Sequence, residues 1–291
     1  MKAVYNAANP IDAQLVSDLL ADAGIEAHVQ GSFLVGGIGE LPAGEMMRVW
    51  VADEVADEAR RIIAEANQGE GADTLEMEMM PALRASWRRM WSALGAPGEG
   101  LALMERLLDA WSEPQRRYHT LQHLADCVGQ LEPHLHIAEH PGEVEFALWM
   151  HDAIYEVKGR DNELQSALWA ARALQAMGQP QAVIDRVHAL VMATCHDALP
   201  RTADERLLLD VDLSILGASP ARFDDYEAQV REEYAWVPGW VFRRKRSEIF
   251  AQFLSREHLF NIGVFRNDLE AQARLNLQRS IRTLRPWWRR F

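Results

Sequence analysis

The stretch Leu148-Trp149-Met150-His151-Asp152-Ala153-Ile154-Tyr155 sets a histidine beside an aspartate, two side chains that can reach one metal ion. Val144, Leu148, His151 and Tyr155 follow the 4-3-4 spacing of one helix face, so the imidazole points where the apolar residues point. A polar group on such a face needs a partner. Taken alone, the pair fits a satisfied polar core contact equally well, and three other stretches bear on the choice. In Arg116-Arg117-Tyr118-His119-Thr120-Leu121-Gln122-His123 the two histidines are four residues apart, on one face of a helix, and can bind one metal. One ligand plus a hydrogen-bonded neighbour describes His123 equally well. In Leu207-Leu208-Leu209-Asp210-Val211-Asp212-Leu213-Ser214-Ile215, helical geometry puts Asp212 among Leu208, Leu209 and Ile215, where an unpaired carboxylate would be costly. Asp210 has Arg206 and Ser214 as helical neighbours, which suits solvent or a supporting role. Finally, Thr194-Cys195-His196-Asp197 ends an apolar helix. There His196 could ligate a second metal or bond a substrate, and a helix C-cap explains it as well.

These residues need elements to hold them. From about residue 80 the pattern is helical almost without break, with helices expected near 81–94, 99–111, 114–131, 143–157, 162–177, 180–195, 203–216, 220–235, 240–256 and 266–284. Prolines fall at the breaks or first turns. An all-α bundle of this kind can build a site from facing helices. Trp87, Trp91, Trp111, Trp149, Trp169, Trp236 and Trp240 sit on these helices as core candidates, and the basic, aromatic run at 282–291 reads as a tail packed on its own domain, with a membrane-surface or partner contact as the alternative.

Residues 1 to about 70 read differently. Lys2–Asn6 is a short strand, Pro10 opens a helix that Gly24 ends, Ala27–Gly31 and Met47–Val51 are further strands, and Asp53 starts a closing helix. The order βαββα implies a small sheet covered by helices. Its 31–44 loop carries Gly36, Gly37, Gly39 and Gly44, yet no GK[ST] follows and the loop opens onto a strand, so it is neither a P-loop nor a dinucleotide fingerprint. A hairpin with unusual backbone angles is the plainer reading, a ligand or partner loop the sharper one. With Asn9-Pro10, Gly31, Gly39-Glu40-Leu41-Pro42 and Val49-Trp50-Val51, this segment resembles a small prokaryotic family of signal-transducing domains of unknown function. The fold class is therefore α+β in two domains: 1–68 the α/β unit, 69–80 a polar, glycine-containing linker, and 81–291 the helical domain.

The order His, His-Asp, Asp on separate helices, from about 104 to 280, resembles the HD superfamily of metal-dependent phosphohydrolases. The branch it looks like is marked here by Tyr118-His119, His123, His151-Asp152, Asp161-Asn162-Glu163, Thr194, His196, Asp210-Val211-Asp212-Leu213 and Arg231-Glu232-Glu233-Tyr234. The resemblance implies His119, His151, Asp152 and Asp212 as metal ligands and leaves the roles of His123 and His196 open. Two imidazoles and two carboxylates hold one or two divalent ions such as Mn, Mg, Fe, Co or Ni, with positions left for water and a phosphate oxygen. The implied activity is phosphomonoester or phosphodiester hydrolysis of a small phosphorylated molecule, a nucleotide being one candidate. Around such a centre Arg116, Arg117, Lys158 and Arg160 are the first candidates to meet phosphate, with Arg231, Arg243 and Arg246 more remote. Glu163 could protonate a leaving group if burial raised its pKa, although a first-turn helix role explains it more cheaply. A non-catalytic metal- or ligand-binding sensor is the rival function, and a metal-free helical adaptor a third.

Composition bounds these readings. A 291-residue chain has room for two cores. A net charge of -13 argues against a nucleic-acid scaffold. Cys127 and Cys195 form no CxxC pair, so neither a disulfide framework nor a thiolate zinc site is expected. No signal peptide or membrane span is visible, and a cytoplasmic protein is expected, with self-association or a regulatory partner engaged through residues 1–68.

Overall fold

The computed structural model describes residues 1–7, 10–30, 47–195 and 198–284, without the side chains of 10–12, 47 and 64–76. The chain divides into two compact units, Met1–Met77 and Glu78–Phe291. No helix among the described residues is long and apolar enough to cross a membrane.

The first unit is the expected βαββα. It comprises β1 (Lys2–Ala7), α1 (Pro10–Asp22), β2 (Ala27–Gln30), β3 (Met47–Val51) and the start of α2 (Ala56–Ala93). The strands pair antiparallel in the order β1-β3-β2. Period-2 alternation works as it should in the central strand. Val49 and Val51 are fully buried and pack with Val16, Leu20, Ile25 and Ile63, while Arg48 on the opposite face is exposed and Trp50 half-buried. Gly24, at φ 77°, lets the chain leave α1 through a left-handed turn closed by Ile25 N–H to Leu20 C=O at 2.8 Å.

Residues 69–80, expected as a linker, are helical and belong to α2. Gly69 and Gly71 each cost a helix about 1 kcal/mol relative to alanine, but the surrounding run is rich in Ala, Glu, Leu and Met, the strongest helix formers.

The second unit continues with α3 (Leu101–Trp111), α4 (Leu121–Leu131), α5 (Pro141–Met150), α6 (Asn162–Ala176), α7 (Gln181–Ala193), α8 (Ala203–Asp212), α9 (Pro220–Glu233), α10 (Gly239–Ser255) and α11 (Gly263–Leu284). Short 3₁₀ turns at Glu132–Ile137 and Leu213–Gly217 extend α4 and α8. Its centre is α5, in which every residue from Gly142 to Met150 is buried and which packs against α4, α6, α7 and α8. A helix buried on every side, here with Glu143 and Glu145 as its only charged residues, belongs in the middle of a bundle. Gly142 permits the closeness: a Cβ there would stand 2.8 Å from the Cβ of Ala93.

Trp87, Trp91, Trp111 and Trp149 are core residues as expected, whereas Trp169 is half-buried and Trp236 and Trp240 are largely exposed. Trp236 lies in the turn after α9 and Trp240 in the first turn of α10, so helical spacing alone could not assign them an inward face.

Two helix boundaries depart from expectation in ways that matter for the site. The helix expected over 114–131 begins only at Leu121, because the N–H groups of Arg117, Tyr118 and His119 all donate to Glu233 Oε1 at 2.9–3.0 Å. The helix expected over 143–157 ends at Met150. Beyond it, the Asp152 and Ala153 carbonyls accept bonds from the Arg116 guanidinium at 2.7 and 3.0 Å.

Candidate metal centre

The C-terminal end of α5 delivers His151 and Asp152, the last residue of α8 is Asp212, the first turn of α4 holds His123, and His119 stands in the turn just before α4. His119 and His123 are therefore not on one helix face, yet the turn still brings their rings to 5.9 Å.

The donor atoms form one cluster. His119 Nε2 lies 3.9 Å from Asp152 Oδ2, which lies 3.2 Å from His151 Nε2. His151 Nε2 is in turn 3.6 Å from Asp212 Oδ1 and 3.4 Å from His123 Nε2, and His123 Nε2 is 3.4 Å from Asp212 Oδ1. The donor atoms of His123, His151 and Asp212 all lie within 4.8 Å of one another. Ligand bonds of roughly 2.0–2.2 Å leave donor atoms at most about 4.4 Å apart, so these separations are of the size a bound cation requires. His123, whose role was open, sits in the middle of the group.

Two of the histidines, His151 and His119, are oriented from behind. His151 Nδ1 meets the Leu148 carbonyl at 2.7 Å, which requires a proton on Nδ1 and turns Nε2 toward the cluster. His119 Nδ1 meets Glu233 Oε2 at 2.8 Å with the same result, and Tyr155 stacks on the His119 ring at 4.1 Å while its hydroxyl donates to Glu233 at 3.0 Å. Glu233 thus binds one imidazole, one phenol and three backbone N–H groups. Burial alone would raise its pKa, but the bond from His119 brings it down to about 2.

The electrostatics separate the donors. Burial lowers His123, leaving the neutral imidazole that a metal needs. Burial would lower His151 too, but Asp152 and Asp212 beside it reverse the sign and raise it well above the ordinary value. Asp152, whose burial pushes the other way, is held well below the usual carboxylate range by His151 and then His119. No arginine or lysine shares this pair of carboxylates by a hydrogen bond or salt bridge among the described residues. Tyr118 packs at 4.7 Å on His123, and its buried hydroxyl has no hydrogen-bond partner there. Three imidazoles, two carboxylates and an unsatisfied hydroxyl fit a hard or borderline divalent cation with its water.

The expected phosphate and proton groups fare differently. Arg116 is not placed to meet phosphate: its side chain is fully buried and its donors go to Glu113 and to the His119, Asp152 and Ala153 carbonyls, so it clamps the turns that carry His119 and Asp152. Lys158 is exposed, with Nζ 5.3 Å above the Trp236 ring. Glu163 is half-buried in the first turn of α6, and no hydrogen bond ties it to the cluster. Asp210 is fully buried, contrary to a solvent-facing reading, and its carboxylate accepts the Asn261 and Ile262 N–H groups and the Asn261 amide at 2.7–2.9 Å, fixing the approach to α11. His196 lies outside the described residues, as do the 31–44 loop and residues 285–291. Glu233 was visible in sequence only as part of Arg231-Glu232-Glu233-Tyr234. Nothing local marked it, because its partner His119 is 114 residues away.

Residues 1–67 match a family described as putative prokaryotic signal transducing protein. That match covers the βαββα unit and stops short of every residue of the metal cluster. No curated protein and no solved structure matches the chain.

Proposed function

We propose that residues 81–291 form a metal-dependent phosphohydrolase of the HD type, acting on a small phosphorylated substrate and regulated through the N-terminal unit. The observation that carries this reading is the convergence of His119, His123, His151, Asp152 and Asp212, spread over 94 positions of sequence from 119 to 212, on one cluster with contacts of 3.2–3.9 Å. Such a donor set would hold Mn, Mg, Fe, Co or Ni. A divalent ion there supplies charge neutralisation for phosphoryl oxygens and an acidified water as nucleophile.

The chain's own residues do the rest by position. Leu148 C=O and Glu233 hold the two outer imidazoles with Nε2 inward, and Arg116 fixes the turn that presents Asp152. Asp152 is held in its carboxylate form by His151 and His119, so it can bind a cation or orient a water. With side chains only 15% exposed, Asp152 and Asp212 keep bulk water from competing for the cluster.

The test is elemental analysis of the purified full chain together with a phosphatase and phosphodiesterase panel supplemented with each metal. The expected result is about one equivalent or more of bound divalent metal and turnover of at least one phosphate ester, both lost in His151→Ala with the helical signal unchanged. Normal turnover in His151→Ala would overturn the assignment. The signalling family matched by residues 1–67 supports a second reading, a metal- or ligand-binding sensor. Tight metal binding with no turnover under any condition would favour that reading.

A further inference from the structure

Away from the candidate metal centre, α9, α10 and α11 line a half-open pocket of about 510 Å³, within the range of small-molecule sites. Three arginines line it, Arg231, Arg243 and Arg279, against two acids, Asp224 and Glu227. Both acids are already engaged. Asp224 accepts Arg279 at 2.6 Å, and Glu227 takes Arg246 on one oxygen and the Ser280 hydroxyl on the other, each at 2.6 Å. Arg231 and Arg243 are left without a carboxylate among the described residues. Arg231 is held in place, its guanidinium 4.8 Å over the Phe242 ring and bonded to the Tyr234 and Val237 carbonyls, while Arg243 is exposed and makes no hydrogen bond or ion pair there. In a chain of net charge -13, two uncompensated guanidiniums on one cavity are a local reversal of sign. Gly239, the first residue of α10, also lines the space, and no side chain caps that helix.

We infer that this cavity is an anion site for a small phosphorylated molecule, separate from the metal centre. A phosphate monoester carries about -1.5 to -2 at neutral pH, which matches two guanidiniums that meet no carboxylate among the described residues, and the planar fork of arginine suits phosphate oxygens better than a point charge does. Phe242 and Leu284 give the non-phosphate part an apolar wall. None of the cluster residues lines the cavity, so the site stands whether or not the hydrolase reading holds.

Inorganic phosphate is the probe, measured by equilibrium dialysis on the full chain. His151→Ala, which disables the metal centre, should still bind one equivalent of phosphate. Adding Arg243→Gln should weaken that binding about tenfold or more, whereas adding Arg244→Gln, an exposed arginine already paired with Glu248 at 2.9 Å, should change it less than about twofold. Phosphate binding that disappears in His151→Ala, that ignores Arg243→Gln, or that falls equally with Arg244→Gln would each overturn the site. Arg243 and Arg244 are exposed on α10, so neither substitution removes a core contact.

Discussion

Helix α5 carries buried charge at both ends and handles it in opposite ways. In its first half, Glu143 and Glu145 are buried, but Glu143 is met by both sides of the Arg186 fork at 2.6–2.7 Å, and Glu145 by Arg89 and the Ser86 hydroxyl at 2.6 Å. Just past its C-terminal end Asp152, among the described residues, meets the imidazoles of His119 and His151. One region pairs its carboxylates with arginines; the other sets Asp152 against imidazoles, with no arginine or lysine paired to it among the described residues. Arg116 is close enough to serve, yet it is spent on backbone carbonyls.

That contrast is broken most directly at Asp212. Asp212→Asn keeps the shape and removes one of the cluster's two carboxylate charges, so hydrolysis should fall by about 10³-fold or more, roughly 4 kcal/mol of transition-state stabilisation. The folded protein should lose little stability, because a like-charge neighbour of Asp152 has gone. Unchanged hydrolysis with metal still bound would show that this carboxylate is not part of the working centre.

The mirror experiment is Arg89→Ala. It strips Glu145, whose side chain is 1% exposed, of its cation, and should cost about 3 kcal/mol in urea unfolding while leaving metal content unchanged. Replacing both partners, Arg89→Met with Glu145→Met, should recover most of that loss, since well-packed apolar groups often match a buried ion pair. If Arg89→Ala proved silent, the first half of α5 would not differ from the second in the way described.

Between the two regions stands Glu233, a carboxylate satisfied by an imidazole, a phenol and backbone N–H groups. Glu233→Gln keeps an acceptor for the backbone but weakens the hold on His119. Metal affinity should drop about 10–100-fold, as for other groups that orient a ligand from behind, with a smaller effect on stability. Equal metal affinity in wild type and variant would remove Glu233 from any positioning role.

Much of the fold was legible in residue types and spacing. The βαββα unit and the helical second unit follow from periodicity, whereas His119, His151, Asp152 and Asp212 came together as one set only through the HD resemblance, which left His123 open. Spacing could not show that His119 lies off α4, since what stops the helix is Glu233, remote in sequence. Nor could it show that Arg116 points at carbonyls and not at substrate: an arginine beside a ligand looks the same in sequence whether it clamps or binds. The helical run across 69–80 was hidden by two glycines whose cost the neighbouring helix formers offset. The exposure of Trp236 and Trp240 was lost because a turn, not a helix, sets where the first of them points.

The finest discrimination comes from pH. In the metal-free protein the pKa of His151 is raised well above the ordinary 6.5 by Asp152 and Asp212, against the opposing effect of burial, so at neutral pH it carries a proton. A metal must expel that proton to use Nε2. Metal affinity should therefore fall about tenfold for each pH unit lowered anywhere below the raised value. The stability linkage has the opposite trend. A raised folded-state pKa stabilises the metal-free fold fully below 6.5, and that contribution is lost as pH climbs through the folded value. Metal-free protein should thus lose melting temperature as pH rises from neutral toward alkaline, while metal-loaded protein, in which the cation has replaced the proton, should not. Glu145, far from the centre and paired with Arg89, gives a built-in control: Glu145→Gln should leave the difference between the metal-free and metal-loaded curves intact. Parallel curves with and without metal in the wild-type protein would mean that no proton at His151 stands in for the missing cation.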